Sequence, residues 1–510
     1  MESNFSIGFF NFRRNKMKKN IREIILLFVA VLILASCATT KGAEGAKDSA
    51  KVEKTKKIKK IKFNQAAYDS AYAAGDYSKC VSMLYSKKAD KNAVKNYLDI
   101  DMLLYFTSDY IASGKGFLET QGQMQRLSAD MTSGKTMQAA LGGENSTTYT
   151  GAVYERLLAY SMRTVNAIGA GELDVAKGVI YTYTGDYKDV IVPLLAQQKE
   201  VEASSDNLLG DEKFSGAMST LNTLGVNVSV GKVTAKTPAK AKAVYETSPF
   251  LSYLGAVVFA ANEDSDHAKE FSSILKTSAP NIDVSEAVKI PAGKGRLEVV
   301  ALSGTLGKRT EGVQEMNFGI IPGTGFPMKF KIVYPVFDIS KQNHKITSVN
   351  VKLSDGTAKK AVVVENFDNA VALDVANKAR GAYNRSVFRN ITKNAASIPA
   401  SVATYIAAKE TLDHIGSNVL ARTAAQIGFT AAKQGMIVAL EAVVDAEKAD
   451  VRQASYFPHL ASAAGFSVAP GTYTVTVEYL SGNNIVETKK IENVVVKEGR
   501  VSVEVSSCEK

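Results

Sequence analysis

The stretch KIPAGKGRLEVVAL, residues 289–302, divides the chain into two kinds of sequence. Upstream of it apolar residues recur at spacings of three and four, the period of a helix with one buried face. From about Lys289 they alternate with polar residues, the period of a strand. Strands are expected at 296–302, 328–336, 346–353 and 358–364, with Asp355-Gly356 turning the last two into a hairpin and residues 322–327 forming a Pro/Gly loop. Residues 366–446 return to Ala-rich helix. The chain then closes in β: Tyr473, Val475, Val477 and Tyr479 alternate with Thr472, Thr474, Thr476 and Glu478. A turn at 481–484 follows, and then apolar runs at 494–496 and 501–505. Neither β stretch has enough strands to stand alone, so the two should pair in one β-sandwich-like domain with the intervening helices packed outside it. The expected class is α+β.

Residues 63–285 read as helical. Tyr68, Ala71 and Tyr72 lie on one face, Gly75-Asp76-Tyr77 breaks the run, and Cys80, Val81 and Leu84 begin a second helix. This helix–turn–helix resembles a tetratricopeptide unit. Similar turns stand at Gly171-Glu172, leading to Ala176, at Gly185-Asp186, leading to Val190, and at Glu263-Asp264, leading to Ala268. Cys80, Ala176 and Ala268 each fall five residues after the start of their turn, where a small side chain lets antiparallel helices cross closely. Spacings far above the ~34 residues of a regular array point to an irregular α-solenoid. Residues 204–244 read as a long loop, and 419–446 as a buried helix packed through small residues.

The N-terminus carries an export signal. Arg13, Arg14, Lys16, Lys18, Lys19 and Arg22 precede an apolar run at 24–34, and Leu34-Ala-Ser-Cys37 resembles the lipobox read by lipoprotein signal peptidase. Met17 is the expected start, with residues 1–36 a signal peptide and Cys37 the lipidated residue. Residues 37–62 form the lipidated cysteine and a basic tether, 63–285 the helical domain, and 286–510 the β domain with its inserted helices. Ala38 is not the aspartate that retains lipoproteins in the inner membrane, so the outer membrane, on its periplasmic or surface leaflet, is the expected address.

The net charge of +11 sits in these ends. Six basic residues against two acidic ones precede Cys37, and nine lysines against three acids follow at 38–62, which leaves +1 for the body. No nucleic-acid partner follows from such a distribution.

Chemical signatures are sparse. The segment 129–136 fits the loose form of a phosphate-binding loop, but its flank reads as helix where that loop needs a strand, so no nucleotide is expected. His267, His344, His414 and His459 lie in unrelated segments without metal-ligand spacing, so no metal site and no cofactor is expected. Cys80 and Cys508 have no ligand partner nearby in sequence. No local catalytic signature appears, and the chain is read as a non-enzyme. Arg385, Arg389 and Lys393, four apart, line one helical face. That face is either a docking strip for an acidic partner or glycan phosphate, or a solvated or internally paired surface. Arg452 stands beside Asp450 and can pair with it or with a carboxylate across a domain junction.

The order of these features resembles a family of bacterial cell-envelope lipoproteins that run from a lipobox through tetratricopeptide-like helices to a β domain. Its pattern includes an Arg-x-x-x-Arg-x-x-x-Lys helix, here Arg385, Arg389 and Lys393. It also includes an Asp-x-Arg-x-Trp-x-x-Leu-Pro stretch, of which Asp450, Arg452 and Pro458 are present while Ala454 and Phe457 replace the Trp and Leu, and a Pro-Gly-x-Tyr strand, here 470–473. Members' genes lie near those of lipoprotein activators of cell-wall synthases, which implies an envelope protein partner. The expected role is therefore a membrane-tethered binding or assembly scaffold. A module for cell-wall glycan or a host ligand is the alternative, and an unrecognised hydrolase a third.

Overall fold

The computed structural model describes residues 61–87, 91–129, 142–225, 248–416, 419–445 and 447–510, with backbone only at 316–319 and 442–445. The signal segment, Cys37, the tether up to residue 60 and nearly all of 129–136 lie outside them.

The class is α+β. Helices α1 (Gln65–Ala73), α2 (Tyr77–Leu84), α3 (Ala93–Phe106), α4 (Tyr110–Ala129), α5 (Val153–Gly169), α6 (Leu173–Asp186), α7 (Val192–Asn207), α8 (Glu212–Thr223), α9 (Pro249–Ala261), α10 (Ser265–Ser278) and the short α11 (Ser285–Val288) precede the first strand. Successive helices fold back on each other at turns that need a left-handed residue. Gly75 (φ 72°), Ser108 (φ 60°), Gly171 (φ 74°) and Glu263 (φ 60°) supply it. Asp76 and Asp264 then accept the backbone N–H of Lys79 and His267, capping α2 and α10. Cys80, Ala176 and Ala268 are all fully buried where these hairpins close.

Two helical expectations are corrected. Gly185-Asp186-Tyr187 is no turn: α6 runs on through a π-helical segment, Tyr187–Ile191, into α7. Residues 204–223 are not loop either, because Asp211 caps α8, which buries Phe214, Ala217 and Leu221.

Strands β1 (Gly295–Ser303), β2 (Thr310–Ile320), β3 (Pro327–Val336), β4 (Ser348–Leu353), β5 (Ala358–Lys360) and β6 (Val362–Asn366) come next. Two helices follow, α12 (Asp368–His414) and α13 (Val419–Asp445), and then β7 (Leu460–Val468), β8 (Gly471–Ser481), β9 (Asn484–Val496) and β10 (Val501–Cys508). One sheet has the order β10-β1-β7-β6 and a second the order β5-β4-β8-β9, while β2 and β3 pair separately. Each four-stranded sheet thus draws strands from both sides of the helical insertion. β1 pairs parallel with β10 and antiparallel with β7.

The alternation in 296–302 explains the layering. Leu297, Val299 and Ala301 join Val349, Val351, Val475, Val477 and Tyr479 in a core between the two sheets. Val300 and Leu302 point the other way, into a core with Leu158, Val165, Phe250 and Leu254 of α5 and α9. β1 is buried on both faces, so helices and sheets share their interior. Residues 59–510 accordingly form one compact unit.

The expected strand 358–364 is two strands, β5 and β6, in different sheets. The helix 419–446 is also corrected. Only Met436 of α13 is buried among the described side chains, and Val419, Leu420, Ile427 and Val438 are exposed. Contact with α12 and β3 covers the face that carries Met436, while those four side chains stay exposed. No helix among the described residues is long and apolar enough to cross a membrane.

At the seam, Glu365 of β6 is a buried carboxyl held by neutral donors. It accepts from Ser248 Oγ (2.6 Å) and the Phe250 amide (2.9 Å) at the start of α9. Burial pushes its carboxyl up, to about 7, against the downward pull of those hydrogen bonds. A raised folded-state value means the folded protein holds the proton more tightly than the unfolded chain. The contribution is therefore full below the unfolded value and is lost as pH rises through about 7. At ~1.4 kcal/mol per unit, the loss is roughly 3 kcal/mol between pH 4.5 and 7.5. Glu365→Gln should flatten that segment of the stability–pH curve, as measured by urea unfolding across the range; an unchanged slope would show that Glu365 is not its source.

Candidate functional site: an arginine-lined cavity

A cavity of about 230 Å³ opens where residues 144–153, α5, α7, the first half of α12 and residues 450–452 meet. Arg156, Arg309, Lys378, Arg385 and Arg452 line it, against Glu144, Glu202 and Asp450.

These side chains arrive from distant segments, and each is fixed by specific bonds. Arg385 donates from Nε to Glu144 Oε1 (2.6 Å) and from Nη1 to Ser205 Oγ (2.6 Å), with Glu202 Oε1 at 3.7 Å. Arg452 binds Asp450 Oδ2 (2.7 Å) and the Thr147 carbonyl (2.8 Å), and stands over the Tyr149 ring. Arg309 reaches Asp374 Oδ2 (2.7 Å) and the Tyr154 hydroxyl (3.1 Å), while its buried Nε has no hydrogen-bond partner. Arg156 is 4% exposed. Its Nη2 donates to three neutral acceptors, the carbonyls of Met124 (2.7 Å) and Thr150 (3.1 Å) and Ser128 Oγ (2.5 Å). Burial pushes its guanidinium down, to about 10, yet leaves it charged at neutral pH.

Positive charge predominates. Burial pushes the Glu202 carboxyl up, to about 7, in spite of Arg385 beside it, so at neutral pH it is only partly ionised. A wall of fixed cations around a small, poorly solvated space favours an anion more strongly than the same charges would in water.

Arg452 is placed here by an irregular stretch, 447–459, that crosses the helices with its amides taken by carboxylates. Glu311 Oε1 accepts from the Ala449 amide (2.8 Å), Glu155 Oε1 from Ala454 (2.6 Å) and Asp99 Oδ1 from Ser455 (2.5 Å). Phe457 then stacks on Phe117. Buried backbone without sheet or helix partners needs such acceptors.

The docking strip is corrected. Arg385 is 6% exposed and Arg389 is fully buried, because the first half of α12 is enclosed by α7, α8 and β3. Arg389 makes a forked pair with Glu447, from Nη2 (2.9 Å) and Nε (3.1 Å) to Oε2, with Glu144 Oε1 3.4 Å from Nη1. Lys393 lies 3.4 Å from Glu447 and is about one-third exposed. The acidic partners of this helical face are inside the protein, and only Arg385 of the three reaches the cavity. Of the two pairings open to Arg452, it makes the one with Asp450. Sequence reading missed Arg156, Arg309 and Glu144, for which no spacing signal exists.

The thiols of Cys80 and Cys508 are both buried and free. Two of the histidines read as unrelated, His344 and His459, stack on each other with ring centroids 3.4 Å apart. His267 pairs with Asp264 on the surface. No family model, no curated protein and no solved structure matches the chain.

Proposed function

We propose that this protein is a lipid-anchored component of the cell envelope that binds an anionic ligand, a carboxylate or phosphate group such as cell-wall glycans carry, in the arginine-lined cavity. Anchoring rests on the basic, apolar and Leu-Ala-Ser-Cys37 order of the N-terminus, and the likeness to envelope lipoproteins with tetratricopeptide-like helices and a sandwich-like β domain supports that address. The observation that carries the binding reading is the gathering of five cations on one cavity wall, with Arg309 Nε left unbonded. Arg385 and Arg452 hold Glu144 and Asp450, an arrangement that suits binding better than acid–base catalysis.

A second reading, assembly with an envelope protein, is favoured by the exposed Val419, Leu420, Ile427 and Val438 of α13. Apolar side chains left in water on one helix are what partner surfaces consist of.

Calorimetric titration of the purified chain with citrate, inorganic phosphate and soluble peptidoglycan fragments tests the cavity. One of these should bind with 1:1 stoichiometry, and Lys378→Ala, a partly exposed position on the wall, should weaken it roughly tenfold, the size of one lost charge-assisted hydrogen bond. No binding by any of the three, or equal affinity in the folded variant, would remove the cavity from the proposal.

A further inference from the structure

We infer that His344, Asp368 and His459 form a site for a divalent transition-metal ion, with zinc the best match to the donor set. His344 precedes β4, Asp368 opens α12, and His459 leads into β7. Their candidate ligand atoms, two imidazole nitrogens and one carboxylate oxygen, all lie within 4.8 Å of one another.

The geometry around the carboxylate is built for two partners. Asp368 is fully buried, and its Oδ1 is occupied by the Gly307 amide (2.9 Å). Its Oδ2 faces both rings, 2.7 Å from His344 Nε2 and 3.3 Å from His459 Nδ1. The second contact is not aligned as a hydrogen bond, and His459 Nδ1, on a side chain only 9% exposed, has no hydrogen-bond partner. A buried polar nitrogen left unbonded beside a carboxylate is expensive unless something else meets it.

Backbone bonds hold the frame. The His459 amide donates to the Ser303 carbonyl (3.0 Å) and the Phe367 amide to the His459 carbonyl (2.9 Å). The ends of β1, β6 and β7 are thereby tied to the start of α12. The Gly307 amide on Oδ1 orients the carboxylate, as outer-shell donors do at metal centres.

The spacing fits. Zinc sits about 2.0–2.2 Å from imidazole nitrogen and carboxylate oxygen, which in a tetrahedral site puts ligand atoms about 3.4 Å apart. His459 Nδ1 is already at that distance from Asp368 Oδ2, and His344 Nε2 is about 0.7 Å closer to it. The two rings lie parallel within 7° at 3.4 Å. A ligating imidazole nitrogen holds its ion close to the ring plane, which two parallel rings 3.4 Å apart cannot both do, so on uptake the partly exposed His344 ring would turn out of the stack. Two imidazoles with one carboxylate favour zinc and its first-row neighbours over magnesium or calcium, which take oxygen ligands. His344 is 17% exposed and gives the ion its route in.

The test is titration of the purified, chelator-treated full chain with Zn2+ by calorimetry, and with Co2+ by visible absorption. One equivalent should bind with micromolar or tighter affinity, and Co2+ should show the visible bands of a low-coordinate nitrogen/oxygen site. His344→Ala, at the partly exposed ligand, should weaken Zn2+ at least 100-fold, while His267→Ala should leave it unchanged. Failure of the folded wild-type chain to take up one equivalent, absence of the Co2+ bands, or undiminished affinity in folded His344→Ala would each overturn the assignment. The cobalt reading is made on the wild-type chain and stands whether or not the variant folds.

Discussion

Arg389→Ala is expected to cost about 3–5 kcal/mol of folding stability, the size seen when one member of a buried ion pair is removed. Arg389 has no solvent exposure, and Glu447, its forked partner, is 1% exposed. Truncating the arginine leaves Glu447 with Lys393 at 3.4 Å and deprives Glu144 of one of its two arginines. Glu447 would then be buried with too little counter-charge, and the cost is chiefly that of a desolvated anion rather than of lost packing. The effect is read as a shift in urea midpoint at constant slope. Lys393→Ala, on the exposed side of the same cluster, should cost no more than about 1 kcal/mol. Replacing Arg389 and Glu447 together by Met and Leu should recover most of the loss, because two apolar groups of similar volume carry no unmet charge. A cost below about 1 kcal/mol for Arg389→Ala would mean the network does not hold α12 against the seam.

This helix also shows where sequence reading ran out. Four-residue spacing correctly put Arg385, Arg389 and Lys393 on one face. It could not say that the face turns inward, because a basic stripe that faces water and one that faces buried glutamates have the same spacing. The decisive residues, Glu144 and Glu447, lie 241 and 58 positions from Arg385 and Arg389. The β region divides in the same way. Strong alternation made β1 and β8 legible, and the shortage of strands in each β stretch correctly implied that early and late stretches share sheets. β7, Leu-Ala-Ser-Ala-Ala-Gly-Phe-Ser-Val, was missed because small residues carry little strand preference. Its composition has a local cause: a Cβ at Gly465 would collide with Arg296 Nη2 and Glu298 Oε1, the buried pair on neighbouring β1. The histidine–aspartate cluster was invisible for a related reason, since His344, Asp368 and His459 meet only because three strand ends and a helix start converge.

The second large effect concerns where the protein lives, on which the binding proposal depends. The lipobox-like Leu34-Ala-Ser-Cys37 follows a basic and an apolar segment in the order a lipoprotein signal requires. Each buried methylene contributes ~0.8 kcal/mol, so two or three acyl chains carried at Cys37, on its sulfur and its amine, would anchor the chain essentially permanently. The basic residues at 38–62 would add only weak attraction to anionic headgroups. Loss of the cysteine should therefore abolish acylation and leave the apolar run at 24–34 uncut on the chain.

Metabolic incorporation of a clickable fatty acid measures this directly. Wild-type protein should be labelled and sediment with membranes, and Cys37→Ala should carry no label. Equal labelling of the Cys37→Ala protein would contradict attachment at that sulfur, and with it the envelope setting in which the cavity is proposed to act.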